Sequence, residues 1–136
     1  MPAGYSKTPL VKKLGIKLGF KIHFANPPDN LQSLLGELPE KTTTIVELNG
    51  LVDYIHLFTK SKDELQTQFP ILKAALAQNG LLWISWPKKA SKVMTDLDEN
   101  VVRGVGLQNG LVDVKVCAVD EIWSGLKFVY RLKDRK

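Results

Sequence analysis

Cysteine is almost missing from this chain of 136 residues, which carries Cys117 and no other. One thiol cannot form a disulfide framework, so a reducing compartment, the cytoplasm, is the expected home. Long hydrophobic runs are missing too. No window approaches the roughly 20 apolar residues of a membrane span, and residues 1–19 hold no stretch resembling a signal-peptide core. The two histidines, His23 and His56, sit on separate segments with no further Cys or His near them. Metal-ligand spacing is therefore absent, and no metal is expected. There is no Walker loop, and no glycine-rich turn follows the first strand. Ser85 and Ser124 lack the nucleophile-elbow pattern, and Cys117 has no base beside it, so covalent catalysis has no support.

What is present suits one compact domain over residues 1–136. The apolar fraction is 44%, and a chain of this length can bury a real core without disulfides or metals. The net charge of +5 is unevenly spread. Residues 1–23 hold Lys7, Lys12, Lys13, Lys17 and Lys21 with no acid, and residues 127–136 hold Lys127, Arg131, Lys133, Arg135 and Lys136 against Asp134. The body between them is mildly acidic. Solvated ends are the simpler reading, because no aromatic RNA-binding signature accompanies the bases.

Read in order, the pattern alternates helices and strands. A short helix is expected over Thr8–Leu14, with Thr8 as cap and Pro9 in the first turn. A strand over Phe20–Ala25 stops at Asn26, Pro27, Pro28 and Asp29, and a brief helix follows over Asn30–Leu38. β-Branched Thr43–Leu48 and then Asp53–Phe58 read as the second and third strands. Ser61 and Glu64 form a capping box before a helix whose apolar face is Leu65, Phe69, Leu72 and Leu76, stopped by Asn79 and Gly80 and kinked or divided at Pro70. Leu81–Trp86 is nearly continuous apolar, which marks a central strand covered on both faces. Thr95 is expected to cap a helix to about Asn109, weakened by Gly104 and Gly106. Val112–Val119 and Gly125–Leu132 complete the pattern with a short connection, so the last strand runs antiparallel.

The fold class is therefore α/β: a single three-layer, Rossmann-like domain with a mostly parallel sheet of about six strands and an antiparallel last strand. The segment FPILKAALAQNGLLWISWP resembles the later core of class I methyltransferases, whose topological mark is an antiparallel last strand. GYSKTPLVKKLGIK, WPKKASKVMTDLDENVVR and VDVKVCAVDEIWSGLK resemble a family of short bacterial proteins of unknown function, across almost the whole chain. The resemblance implies the methyltransferase-like fold and supplies no activity.

In such a sheet ligands bind beyond the carboxyl ends of the strands. That edge should gather Asn26, the Thr59, Lys60 and Ser61 turn, the run Trp86, Lys88, Lys89, Ser91, Lys92 and Thr95, and the last turn with Asp120, Glu121, Trp123 and Ser124. Lys88, Lys89 and Lys92 before a helix would suit an anion, or they neutralise Asp120, Glu121 or the acids of that helix. Trp86 or Trp123 would form an apolar wall, or Trp123 covers the sheet edge. The amino-acid part of S-adenosylmethionine would need glycines where Asn26, Pro27 and Pro28 stand, so no cofactor is expected; Glu47 lies roughly where a ribose-binding acid would be. The leading expectation is a non-catalytic domain binding a partner protein or a small anionic ligand. The alternatives are a divergent S-adenosylmethionine-dependent methyltransferase, with Asp120 or Glu121 as acid or base, and weak nucleic-acid binding through the basic ends.

Overall fold

Apolar side chains on alternate strand positions must be covered on both sides of a central sheet, and the structure does this with two helices on each face. A computed structural model of the chain describes residues 8–135. Of the basic ends, Lys7 and Lys136 lie outside the described residues. The elements are α1 (Leu10–Leu14), β1 (Lys21–Ala25), α2 (Leu31–Leu35), β2 (Thr43–Thr44), β3 (Val52–Phe58), α3 (Lys62–Ala74), β4 (Leu76–Pro87), α4 (Glu99–Gln108), β5 (Leu111–Ala118) and β6 (Trp123–Tyr130). Single 3-10 turns occupy Lys89–Ser91 and Leu132–Asp134.

The sheet order is β2-β1-β3-β4-β6-β5. β1 pairs in parallel with β2 and β3, and β3 with β4; β6 runs antiparallel to both β4 and β5. The chain leaves β1 for the outer strand β2 and returns to β3 on the opposite side of β1, which makes β1 and β3 the switch point. Leu57, Ile84, Leu126 and Phe128 face α3 and α4 in the larger core, together with Leu65, Phe69 and Val102. Ile22, Tyr54 and Trp83 face α1 and α2 with Leu14 and Leu35. Each such buried leucine or isoleucine contributes roughly 1.5–3 kcal/mol relative to exposure.

Several boundaries differ from the sequence pattern, for local reasons. β2 stops at Thr44 instead of reaching Leu48. Ile45 N–H still donates to Ile22 O at 2.7 Å, but its carbonyl accepts from His23 Nδ1 at 2.8 Å, so a side chain takes the acceptor and the ladder ends. α3 runs undivided through Pro70 and ends at Ala74. Leu76 opens β4 rather than closing the helix. The register passes from Val52↔Leu76 to Tyr54↔Leu81, so the Asn79-Gly80 signal is a bulge within β4. Gly80 fits it because a Cβ there would lie 2.9 Å from Ala77 O and 3.0 Å from Asp53 O.

The capping assignments change similarly. Ser61 Oγ does accept from Glu64 N–H, but the Glu64 carboxylate takes the Thr59 hydroxyl instead of Ser61 N–H. α4 begins at Glu99, and its cap is Asp98, which accepts from Val101 N–H at 2.8 Å. Thr95 instead accepts from Leu97 N–H at 3.1 Å and donates to Lys60 O at 2.6 Å, tying the loop before α4 to the start of α3. α1 starts at Leu10 with Pro9 in the cap position, not with Thr8 as cap. Gly106 lets α4 close on the sheet: a Cβ there would stand 2.0 Å from Phe128 Cε1.

Candidate functional site

β4 carries Trp86 to the carboxyl edge, where the chain leaves the sheet at Pro87. Lys88 N–H donates to Ile122 O at 2.8 Å, which fixes the exit against the β5–β6 turn. The chain then makes the turn Lys89–Ser91, closed by Lys92 in the left-handed region at φ 60°. Ser91 Oγ donates to Lys88 O at 2.6 Å and accepts from Val93 N–H at 3.2 Å. Ser91 therefore builds the loop. The result is an open cleft of about 720 Å³ lined by Trp86, Lys88, Lys89, Lys92, Met94 and Thr95, with Ser124 across from them.

Acids line this cleft as well, and each already has a partner. Asp96 accepts from Lys62 N–H at 2.8 Å, Asp98 caps α4, and Glu99 pairs with Arg103 at 2.6 Å. Both ion pairs among the described residues belong to Arg103, which also holds Asp113 at 2.9 Å. Among the described residues, Lys88, Lys89 and Lys92 have no acid within 4.0 Å. They therefore form no ion pair with Asp120, Glu121 or the acids of α4.

The remaining residues of the expected edge are distributed elsewhere. Asp120 Oδ1 accepts from Ile122 N–H at 2.8 Å and Trp123 N–H at 2.7 Å, so this carboxylate shapes its own turn. Glu121 is exposed in that turn. Trp123 is buried edge-on against Phe58, ring centroids 5.2 Å apart, and packs with Phe24, Leu31 and Leu34 on the sheet face opposite Trp86. Asn26 ends β1 exposed, at φ 53°. Glu47 lies exposed beyond β2. Among the bases of the chain ends, Lys127 is half-buried with its ammonium 5.9 Å from the Trp83 ring centroid; burial lowers its pKa, and Lys115 and Lys17 add to the effect.

A second cleft, about 660 Å³, opens at the switch-point edge between α2 and the end of β2. Phe24, Leu31, Leu35 and Ile45 give it apolar walls, and Asp29 and Gln32 add polar groups. The sequence pattern passed over Asp29 because it follows two prolines in a turn, with no periodicity to mark it. It also passed over a buried chain of hydrogen bonds, Tyr54–His56–Ser85, since cross-strand register is not written in either strand alone. All three side chains are inaccessible, so they cannot meet a substrate. Among the described residues no three His, Cys, Asp or Glu side chains are grouped to hold a metal ion, and no helix is long and apolar enough to cross a membrane.

No protein-family model and no curated protein matches the sequence. Solved structures do match the fold. The ribosomal protein L11 methylase of Lactobacillus delbrueckii subsp. bulgaricus is 10% identical, with 90% of this chain and 75% of that one covered and a TM-score of 0.59. The magnesium protoporphyrin IX methyltransferase of Synechocystis PCC 6803, with bound S-adenosylmethionine, is 12% identical over 90% and 74%, with a TM-score of 0.58. An S-adenosylmethionine-dependent methyltransferase of Aquifex aeolicus is 16% identical over 88% and 86%, with a TM-score of 0.56. The chain thus has the class I methyltransferase-like Rossmann fold.

The cleft between α2 and the ends of β1 and β2 offers groups suited to part of S-adenosylmethionine. Its walls of Phe24, Leu31, Leu35 and Ile45 are apolar, as a base would require, and Asp29 is the one acid in the lining that could accept from ribose hydroxyls. The β1 turn does not supply a backbone cradle for the amino-acid part, because Pro27 and Pro28 have no N–H to donate.

Proposed function

We propose that this chain is a divergent S-adenosylmethionine-dependent methyltransferase that grips its ligand by the adenosine half, in the cleft between α2 and β2, instead of across the β1 turn. The observation that carries this reading is the cleft itself: an opening of about 660 Å³ with apolar walls and one acid, at the carboxyl ends of β1 and β2. Phe24 and Ile45 would flank the base and Asp29 would accept from the ribose. The ligand, when bound, supplies the transferable methyl group; these residues hold and orient it.

Thermal denaturation with S-adenosylmethionine, its demethylated product, adenosine and inorganic phosphate tests the reading. A ligand that binds only the folded state at a hundred times its Kd adds about 2.7 kcal/mol. The adenosyl compounds should raise Tm, and Val46→Trp, at a cleft position 83% exposed, should abolish the rise without unfolding the protein. No rise at millimolar concentration would sink the proposal. The prolines of the β1 turn favour a second reading, a domain that binds such a ligand without using it. A Tm rise without conversion of S-adenosylmethionine to its demethylated product would select it.

A further inference from the structure

The lysine cleft at the end of β4 is separate from the adenosyl cleft and shares no lining residue with it. We infer that it binds a small phosphomonoester with an apolar body, independently of any adenosyl ligand. Three features converge on that chemistry. Lys88, Lys89 and Lys92 all line one opening, and among the described residues none has an acid within 4.0 Å. Asp96, Asp98 and Glu99, the acids of the same wall, are occupied by Lys62 N–H, Val101 N–H and Arg103. The three carboxylates keep their charge, so the lining balances three against three, but they are turned to these donors, whereas the three lysines have no ion-pair partner among the described residues.

The third feature is an apolar floor and rim. Trp86 and Leu97 line the cleft as buried residues, and Met94 lines it with 90% of its surface exposed. A flexible thioether is well suited to close on an apolar group of variable shape. Helix dipole plays no part here, because Asp98 already occupies the N-terminus of α4. Two or three ammonium groups match the charge of a phosphate dianion, while the rim would cover a ring or short chain attached to it.

Calorimetric titration of the full chain with phenyl phosphate and with inorganic phosphate tests this. Phenyl phosphate should bind at least fivefold more tightly, and both should weaken as salt is raised. The double substitution Lys88→Gln with Lys92→Gln should weaken phenyl phosphate at least tenfold, whereas Lys133→Gln, outside the cleft, should leave it unchanged. Equal affinity in the two lysine variants, each with an unaltered Tm, would overturn the assignment. Equal affinity for the two phosphates would overturn the role of the apolar rim. Val46→Trp should retain phenyl phosphate binding, so the two clefts can fail separately.

Discussion

His56 Nε2 lies 2.6 Å from Ser85 Oγ across the adjacent strands β3 and β4, and neither side chain reaches solvent. The Tyr54 hydroxyl is 2.9 Å from Nδ1 of the same imidazole. A neutral ring has one donor and one acceptor. With the Tyr54 O–H donating to Nδ1, Nε2–H donates to Ser85. The ring also stacks on Phe58, centroids 4.3 Å apart.

This burial makes stability depend on pH. Burial lowers the His56 pKa to about 3, whereas an unfolded histidine titrates near 6.5. Above pH ~6.5 both states are neutral and the full stability is present. Below it the unfolded chain gains a proton that the folded one refuses, so stability falls by up to about 1.4 kcal/mol per pH unit. Urea unfolding between pH 7 and 5 should show that slope, and NMR should find His56 neutral at pH 5. A folded-state titration of this ring near 6.5 would contradict its placement.

Gly104 and Gly106 stand two residues apart in α4 and should respond oppositely to alanine. Nothing lies within 4 Å of a Cβ at Gly104, so Gly104→Ala should gain helix propensity, about 0.5–1 kcal/mol. At Gly106 the added methyl would enter the Phe128 ring, which Phe69 holds edge-on at 5.4 Å. Overpacking of this kind costs roughly 1–3 kcal/mol, and Gly106→Ala should lower Tm. Thermal melts of the two variants decide it.

Asp120 is a turn-builder, which separates it from both ligand clefts. Asp120→Ala removes the acceptor of two backbone N–H groups and should cost about 1–2 kcal/mol, while Asp120→Asn, which keeps an acceptor oxygen, should cost less. Phenyl phosphate affinity should be the same in both. A tenfold loss of that affinity with unchanged stability would place Asp120 in the cleft after all.

The long apolar strand ending at Trp86, the Ser61 cap and the antiparallel closing pair were readable because each depends on local spacing or a single side chain. The end of β2 was not: it depends on His23, twenty-two residues away, reaching the carbonyl of Ile45. Asn79-Gly80 reads equally well as a helix stop or a strand bulge, and only the pairing with β3 decides between them. For the site, sequence order could bring Trp86 and Lys88–Lys92 together because one loop carries them. It could not divide Trp123 from Trp86, since which sheet face each occupies follows from register.

Asn26 offers the sharpest test of what the β1 turn does. It sits at φ 53° with its side chain exposed, immediately before Pro27. Asparagine and glycine tolerate the left-handed region, and a residue with an unassisted Cβ loses about 1 kcal/mol there. Asn26→Gly should therefore leave stability within about 0.5 kcal/mol, and Asn26→Ala should lower it by about 1 kcal/mol. If the turn serves only as backbone, any Tm rise with adenosyl compounds should survive Asn26→Gly in full. Loss of that rise in a variant of unchanged stability would make the Asn26 carboxamide a ligand contact, and would move the adenosyl group from the α2 cleft back over the β1 turn.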